Sequence, residues 1–259
     1  MRADPNVRAP HPWFSRWFGR YAANRLRKHF HRVRLLKEGS LTVPRHLPLV
    51  IYGNHPSWWD PLVALAVKPV FFPDRDAYAP IDAAMLERYG LFKSLGFFGV
   101  ERASLRGVAS FLDQAETILR RPDTLLFLTP QGRFADVRER PVRLQRGIAH
   151  LAARVPETVF LPLAMEIAFW EESKPELLLC AGAAVSHEPG NSRPETLTRL
   201  ERSLEKAMDQ LAAASMARRS EAFDNLLTGT AGIGGFYDAW RSLKAFALGK
   251  TINLHHSNR

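Results

Sequence analysis

The chain has 259 residues, of which 46% are hydrophobic and 24% charged, a balance that excludes a disordered chain and allows a substantial core. A formal net charge of +10 points to anionic partners: phosphorylated substrates, an acidic membrane surface or nucleic acid. The chain carries no zinc-finger spacing or other nucleic-acid motif, and its single cysteine excludes an internal disulfide and a metal site of paired cysteines.

The N-terminal stretch MRADPNVRAPHPWF lacks the apolar core of a signal peptide, so nothing in it points to export. No stretch reaches the roughly 18 uninterrupted apolar residues of a membrane span. A chain of this kind that meets a membrane lies on its surface. Residues 12–36 read as one helix, with Trp13, Phe14, Trp17, Phe18 and Tyr21 at helical spacing and Phe30 and Val33 prolonging the stripe. Arg16, Arg20, Arg25, Arg27, Lys28, Arg32 and Arg34 form its polar side. Such a helix suits an anionic lipid interface, where rings enter the headgroup boundary and cations meet lipid charge. The same periodicity also serves a helix packed on its own domain.

LPLVIYG (47–53) reads as a buried strand, and the loop NHPSWWDPL follows it. A helix is expected to start at Asp60-Pro61, because aspartate favours the N-cap and proline the first helical position. PVFFP (69–73) predicts a second strand, residues 81–95 a helix, and GFFGVER (96–102) a turn. Ser104 is placed to cap a helix whose apolar face is Leu105, Val108, Phe111, Leu112, Ala115, Ile118 and Leu119, ending at Pro122. Residues 124–129 predict a strand, 130–147 a polar, arginine-laden loop, and 148–155 a short helix. Strands are expected at 158–170 and 176–185, the latter holding Cys180 as a buried structural thiol. After a linker at 187–195, Leu197, Leu200, Leu204, Ala207, Met208 and Leu211 mark a long amphipathic helix. Residues 232–250 read as a second short basic, aromatic helix behind a glycine hinge. The alternation predicts an α/β fold, a mixed and mainly buried sheet flanked by helices, with amphipathic helices at both termini. The organisation expected is a surface helix at 1–36, one domain at 37–216 and a basic tail at 217–259.

His55 and Asp60 lie five positions apart, between a buried strand and a helix start. Strand ends of this kind present reactive side chains at the edge of α/β sheets. A neutral imidazole can take a proton from an attacking hydroxyl, and a carboxylate on its other nitrogen fixes the tautomer and stabilises the imidazolium. The plainer alternative has Asp60 capping the helix and His55 as a polar loop residue. Two further turns carry arginine: Arg102 after FFGVE, and Arg133 in TPQGRF, where Gly132 would let a ligand approach the backbone. With Arg138, Arg140, Arg143 and Arg146, guanidinium groups converging on one mouth of the sheet would suit a phosphate.

The order NHPSWWDP, GFFGVER, LTPQGRF and VFLPLA, spanning about residues 48–165, resembles the four sequence blocks of the glycerolipid acyltransferases. That group includes the lysophosphatidate and glycerol-3-phosphate acyltransferases. The resemblance implies a glycerolipid acyltransferase-like fold and acyl transfer from acyl-CoA or acyl carrier protein to a lysolipid hydroxyl. It implies His55 as general base and Asp60 as its orienting partner. Arg102 would help to hold the acceptor's phosphate, Gln131, Gly132 and Arg133 would fall in the acceptor-binding block, and Pro162 would lie on the acyl-donor side. No metal, cofactor or acyl-enzyme serine is implied, and the chain has no GxSxG elbow. The partners expected are an anionic membrane surface, the lysolipid and the acyl donor, without nucleic acid, on the cytoplasmic face of a membrane. One block departs from the family pattern: Pro-Glu-Gly-Thr-Arg is replaced by Pro130-Gln131-Gly132-Arg133-Phe134. That leaves the acceptor open among a lysophospholipid, a lyso-aminolipid and a glycolipid. A non-catalytic lipid-binding protein on the same fold is the rival reading.

Overall fold

Short apolar runs that are buried along their whole length need backbone partners on both sides, and a sheet supplies them. The computed structural model describes residues 7–229 apart from 40, 42, 102, 103 and 189. In chain order these form α1 (Pro12–His29), β1 (Arg32–Leu36), β2 (Leu49–Gly53), α2 (Asp60–Phe71), β3 (Asp76–Asp82) and α3 (Ala83–Arg88). A 3₁₀ turn at Gly90–Leu95 leads into β4 (Phe97–Val100), α4 (Leu105–Leu119), β5 (Thr124–Leu128) and α5 (Gly147–Arg154). Then come β6 (Val159–Ala168), β7 (Glu176–Ala181), α6 (Arg193–Ala217) and β8 (Phe223–Thr228). The strands form one sheet in the order β4-β3-β5-β2-β6-β7-β1-β8. From β4 to β6 neighbours run parallel, whereas β7 is antiparallel to β6 and β8 antiparallel to β1. The expected mixed α/β architecture is therefore present.

Alternation along each strand divides the core between two faces. Val50, Tyr52, Leu126, Leu128, Phe160, Leu178 and Cys180 pack with α4, α5 and α6. Leu49, Ile51, Leu125, Leu161, Leu163, Leu177 and Leu179 pack with α1 and α2. Cys180 is buried, and burial pushes its thiol up to about 11, so it has the inert character expected of it.

Several local expectations need correction. The helix predicted over 12–36 ends at His29, and Val33 belongs to β1, because residues 32–36 find ladder partners in Glu176–Leu179 and in β8. The strand predicted at 69–73 is the last turn of α2 and its cap; Pro69 removes only one helical N–H, and the carbonyl of Leu65 that it frees faces the bare Cα of Gly19 on α1. The second strand is instead β3, which takes Ile81 and Asp82 from the predicted helix, and Gly90 divides what remains into α3 and a 3₁₀ turn. The turn predicted at 96–102 contains β4, which pairs with β3 at the sheet edge. Ser104 caps α4 as expected, its hydroxyl accepting from the Gly107 N–H at 2.9 Å. Leu105 and Val108, assigned to that helix's apolar face, are exposed instead. The strand β8 was not anticipated, and the predicted helix at 232–250 lies outside the described residues.

Arg34 and Glu176, both nearly inaccessible, join β1 to β7 through Nε–Oε2 at 2.9 Å, and His31 Nδ1 meets the other carboxylate oxygen at 2.7 Å. The Arg34 guanidinium also lies 5.0 Å from the centre of the Trp170 ring. Removing one member of a buried pair strands the other charge. Glu176→Ala is expected to cost about 3–5 kcal/mol in urea unfolding, while the apolar pair Arg34→Met with Glu176→Leu should recover most of that loss.

Candidate active site

The parallel strands β2 and β5 end side by side, and the loops that leave them carry the candidate residues. Gly53 closes β2, and it must be glycine because a Cβ there would lie 2.8 Å from the Leu163 carbonyl of β6. Asn54 follows, almost inaccessible, and ties the loop to β6 by a reciprocal pair: its amide donates to the Met165 carbonyl and accepts from the Met165 N–H, both at 2.8 Å. His55 is thus placed on a fixed stem.

His55 Nδ1 and Asp60 Oδ2 are in direct hydrogen-bond contact, with the two side chains 15% and 6% exposed. The carboxylate is turned back toward the loop: its other oxygen receives the Ser57 hydroxyl at 3.4 Å, and no side-chain cap bond is made at the start of α2. The capping role weighed for Asp60 is therefore not what its side chain does. Burial raises the Asp60 carboxyl above its usual value, opposed by the hydrogen bonds from His55 and Ser57. A carboxylate on Nδ1 holds the proton there and leaves Nε2 as the free lone pair.

The loop after β5 grips the backbone of His55 from both sides. The His55 N–H donates to Gln131 Oε1 at 2.9 Å, and the His55 carbonyl accepts from the Ala135 N–H at 3.0 Å. Gly132, between them, has φ of +71° and would press a Cβ to 3.2 Å from the Gln145 side chain. The Phe134 ring then lies over the imidazole, with centroids 4.3 Å apart. On the other side Trp59 stacks with Trp58 at 4.6 Å and meets Phe30 at 5.1 Å, anchoring the loop to the end of α1. Trp58 remains 60% exposed.

His55, Asp60, Trp58 and Phe134 line a cavity of about 510 Å³. Its walls are mainly apolar, including Ile51, Val63, Leu65, Leu163 and Met165, and α1 contributes Pro12, Ser15 and Arg16. The size and lining suit an extended apolar ligand.

The remaining predicted residues divide. Gln131 is buried behind His55 and braces it rather than facing the cavity. Gly132 shapes the turn. Arg133 points away, paired with Glu139, and does not line the cavity. Of the arginines expected to converge on the mouth, Arg138 is met by Asp136, Arg140 by Asp209 and Arg143 by Glu201, because acidic residues are interleaved in the loop and along α6. Arg146 sits at the start of α5 and does not line the cavity. Pro162 sits in β6 on the opposite face, near Gly182 and Ala207 under α6. Arg102 lies outside the described residues. Phe134 and Asn54 were missed. An aromatic residue directly after the glycine turn was the available signal for the first; nothing local marked the second.

A family model described as Acyltransferase matches residues 34–166. A search of curated proteins finds no match. Among solved structures, the 1-acyl-sn-glycerophosphate (LPA) acyltransferase PlsC from Thermotoga maritima aligns with a TM-score of 0.53 at 16% identity, covering 78% of this chain and 80% of that one. At that identity the likeness is one of fold.

Two outcomes follow from this geometry. A raised carboxyl pKa means that the folded state binds the Asp60 proton more readily than the unfolded chain does, so stability is lost as pH rises above the ordinary value of 3.8. Asp60→Asn should therefore unfold at a higher urea midpoint than the wild type at neutral pH, with the gap closing in acid. Gln131→Leu leaves the His55 N–H without its acceptor and should cost about 1–3 kcal/mol by the same assay, whereas Gln131→Glu should cost less.

Proposed function

The chain belongs to the acyltransferase family, and from that premise we propose that it moves a fatty acyl chain from acyl-CoA or acyl carrier protein to the hydroxyl of a lysolipid. The observation that carries this reading is His55, paired on its Nδ1 side with buried Asp60 and lining a mainly apolar cavity of about 510 Å³. In this scheme His55 Nε2 takes the acceptor's hydroxyl proton as the oxygen attacks the thioester carbonyl. The tetrahedral intermediate collapses with loss of the carrier thiolate, which recovers the proton from the imidazolium. Asp60 stabilises the imidazolium while it lasts. Direct transfer of this kind needs no acyl-enzyme, metal or cofactor. The N–H of His55 is occupied by Gln131, so oxyanion donors would come from elsewhere around the cavity.

The acceptor class rests on the family and on the lysophosphatidate acyltransferase with the same fold. One observation favours a second acceptor: Phe134 covers the imidazole while Arg133 is held by Glu139. Of the third block, the side chain nearest the reacting atoms is thus a ring and not a guanidinium. A lyso-aminolipid or glycolipid hydroxyl fits that wall better than a phosphate monoester does. The lipid would be reached from an anionic membrane surface, on the cytoplasmic side, by α1, whose Trp13, Trp17 and Tyr21 are exposed. No helix among the described residues is long and apolar enough to cross a membrane.

Acyl transfer from long-chain acyl-CoA, and separately from acyl carrier protein, to lysophosphatidate, lysophosphatidylcholine and a lyso-aminolipid tests the proposal. His55→Ala should lower the rate by about 100- to 10,000-fold with any accepted substrate. Equal rates in variant and wild type would rule out the His55 mechanism. Absence of transfer with every pairing would favour a lipid-binding protein.

A further inference from the structure

The exposed aromatic face of α1 does not end with α1. Trp17 stacks on Phe14 at 5.8 Å and on Tyr21 at 6.2 Å, giving a continuous row of rings. Phe18 lies beside the row and meets Phe92 edge-on at 6.4 Å, and Phe92 meets Tyr89 at 5.9 Å. The His11 N–H donates to the Ser94 carbonyl at 2.8 Å, fixing the start of α1 against the same segment. On that segment Met85, Tyr89 and Leu91 are 43%, 42% and 59% exposed. Side chains of this size so exposed on two adjoining elements form one apolar patch that the domain leaves uncovered.

Charge decides what covers it. Arg16 and Arg20 on α1, and Arg88 on the second segment, are all exposed, and among the described residues none has a carboxylate within salt-bridge distance. The Arg88 guanidinium lies 5.3 Å from the centre of the Tyr89 ring, so cation and ring occupy one spot. The acid of the segment, Glu87, lines a separate polar cleft together with Lys93, Glu101 and Arg106. Rings and aliphatic tips interleaved with free cations match the boundary of an anionic bilayer. The cavity that His55 lines is also lined by Pro12 and Arg16 of α1, the helix that carries this face.

We propose that residues 85–93 are a second membrane-contact segment, which docks with α1 on the same anionic bilayer surface. This deepens the reading of a lipid acyltransferase given above and rests on its membrane partner. A two-part platform fixes orientation as well as attachment, because one helix alone can roll about its axis.

Vesicle sedimentation with phosphatidylcholine, with and without phosphatidylglycerol, tests it in the full chain. Tyr89→Ser with Leu91→Ser should weaken partition onto the anionic vesicles by about tenfold, comparable to Trp13→Ser with Trp17→Ser. Because Cys180 is buried, Leu91→Cys can carry an environment-sensitive fluorophore, and its emission should shift to the blue on anionic vesicles. The same label on Met216→Cys, on a helix of the opposite sheet face, should not shift. Unchanged partition of the Tyr89/Leu91 variant, or no shift at position 91, overturns the second segment while leaving α1 as the anchor. Equal binding to neutral vesicles overturns the electrostatic half, and no vesicle binding by the wild type overturns the membrane reading itself.

Discussion

A carboxylate shielded from water is costly unless a donor meets it, and at Asp60 the donor is the imidazole of His55. Most of the local architecture follows from keeping those two groups together. The helix that starts at Asp60 supplies the fixed base, and Ser57 takes the second oxygen. Asn54 then fixes the loop's entry to β6, and Trp59 fixes its exit against α1. Imidazole and carboxylate lie five positions apart, and each end of that span is tied to a different element. The imidazole is therefore held by tertiary structure rather than by the loop itself, as a proton acceptor needs if its lone pair is to meet one hydroxyl repeatedly.

Sheet order explains why blocks distant in sequence meet here. β2 lies between β5 and β6, all three parallel, so their C-terminal ends emerge together. The loop after β5 can then deliver Gln131 and Ala135 to the two backbone groups of His55. The family's third block thus acts on the first through the main chain. Gln131 is suited to this because an amide oxygen accepts a hydrogen bond without bringing a second charge next to Asp60. The same substitution that obscured the acceptor in the sequence has a structural account in the fold.

Much of the fold was legible because its signals are local. The Asp60-Pro61 start, the Ser104 cap, the apolar runs at β2, β5, β6 and β7, and the stripe of α6 are each set by neighbours within a few residues. What failed depended on partners far away. β1 is a strand because it pairs with β7 and β8, and β8 because it pairs with β1, and neither carries a clean alternation of its own. PVFFP has the composition of a strand, yet it completes α2, since the packing of α2 on α1 outweighs propensity over so short a run. At the site, the pair His55 and Asp60 was visible as spacing. The bracing by Gln131, the ring of Phe134 and the displacement of Pro162 were not, because side-chain direction follows from strand register and turn geometry.

The arginines show the same limit most clearly, and they bear on where charge does its work. A run of guanidinium groups after β5 suggested an anion site, but Arg133, Arg138, Arg140 and Arg143 each meet a carboxylate. Two of those acids lie on α6, where Glu201 and Glu205 also accept the N–H groups of Leu144 and Val142. The loop is thus fastened across the α6 side of the sheet, and its cations are neutralised in the process. α1, with Arg16 and Arg20, and the end of α3, with Arg88, carry arginines without such partners beside uncovered rings. The two sheet faces therefore divide the labour: α4, α5 and α6 close the core, while α1 and α2 enclose the cavity and leave an aromatic, cationic surface beside it. Net charge alone could not distinguish these uses, since a paired arginine and a free one count the same in a sum. Their placement relative to the acids makes the difference, and it leaves Arg16, which lines the cavity, without a carboxylate partner among the described residues.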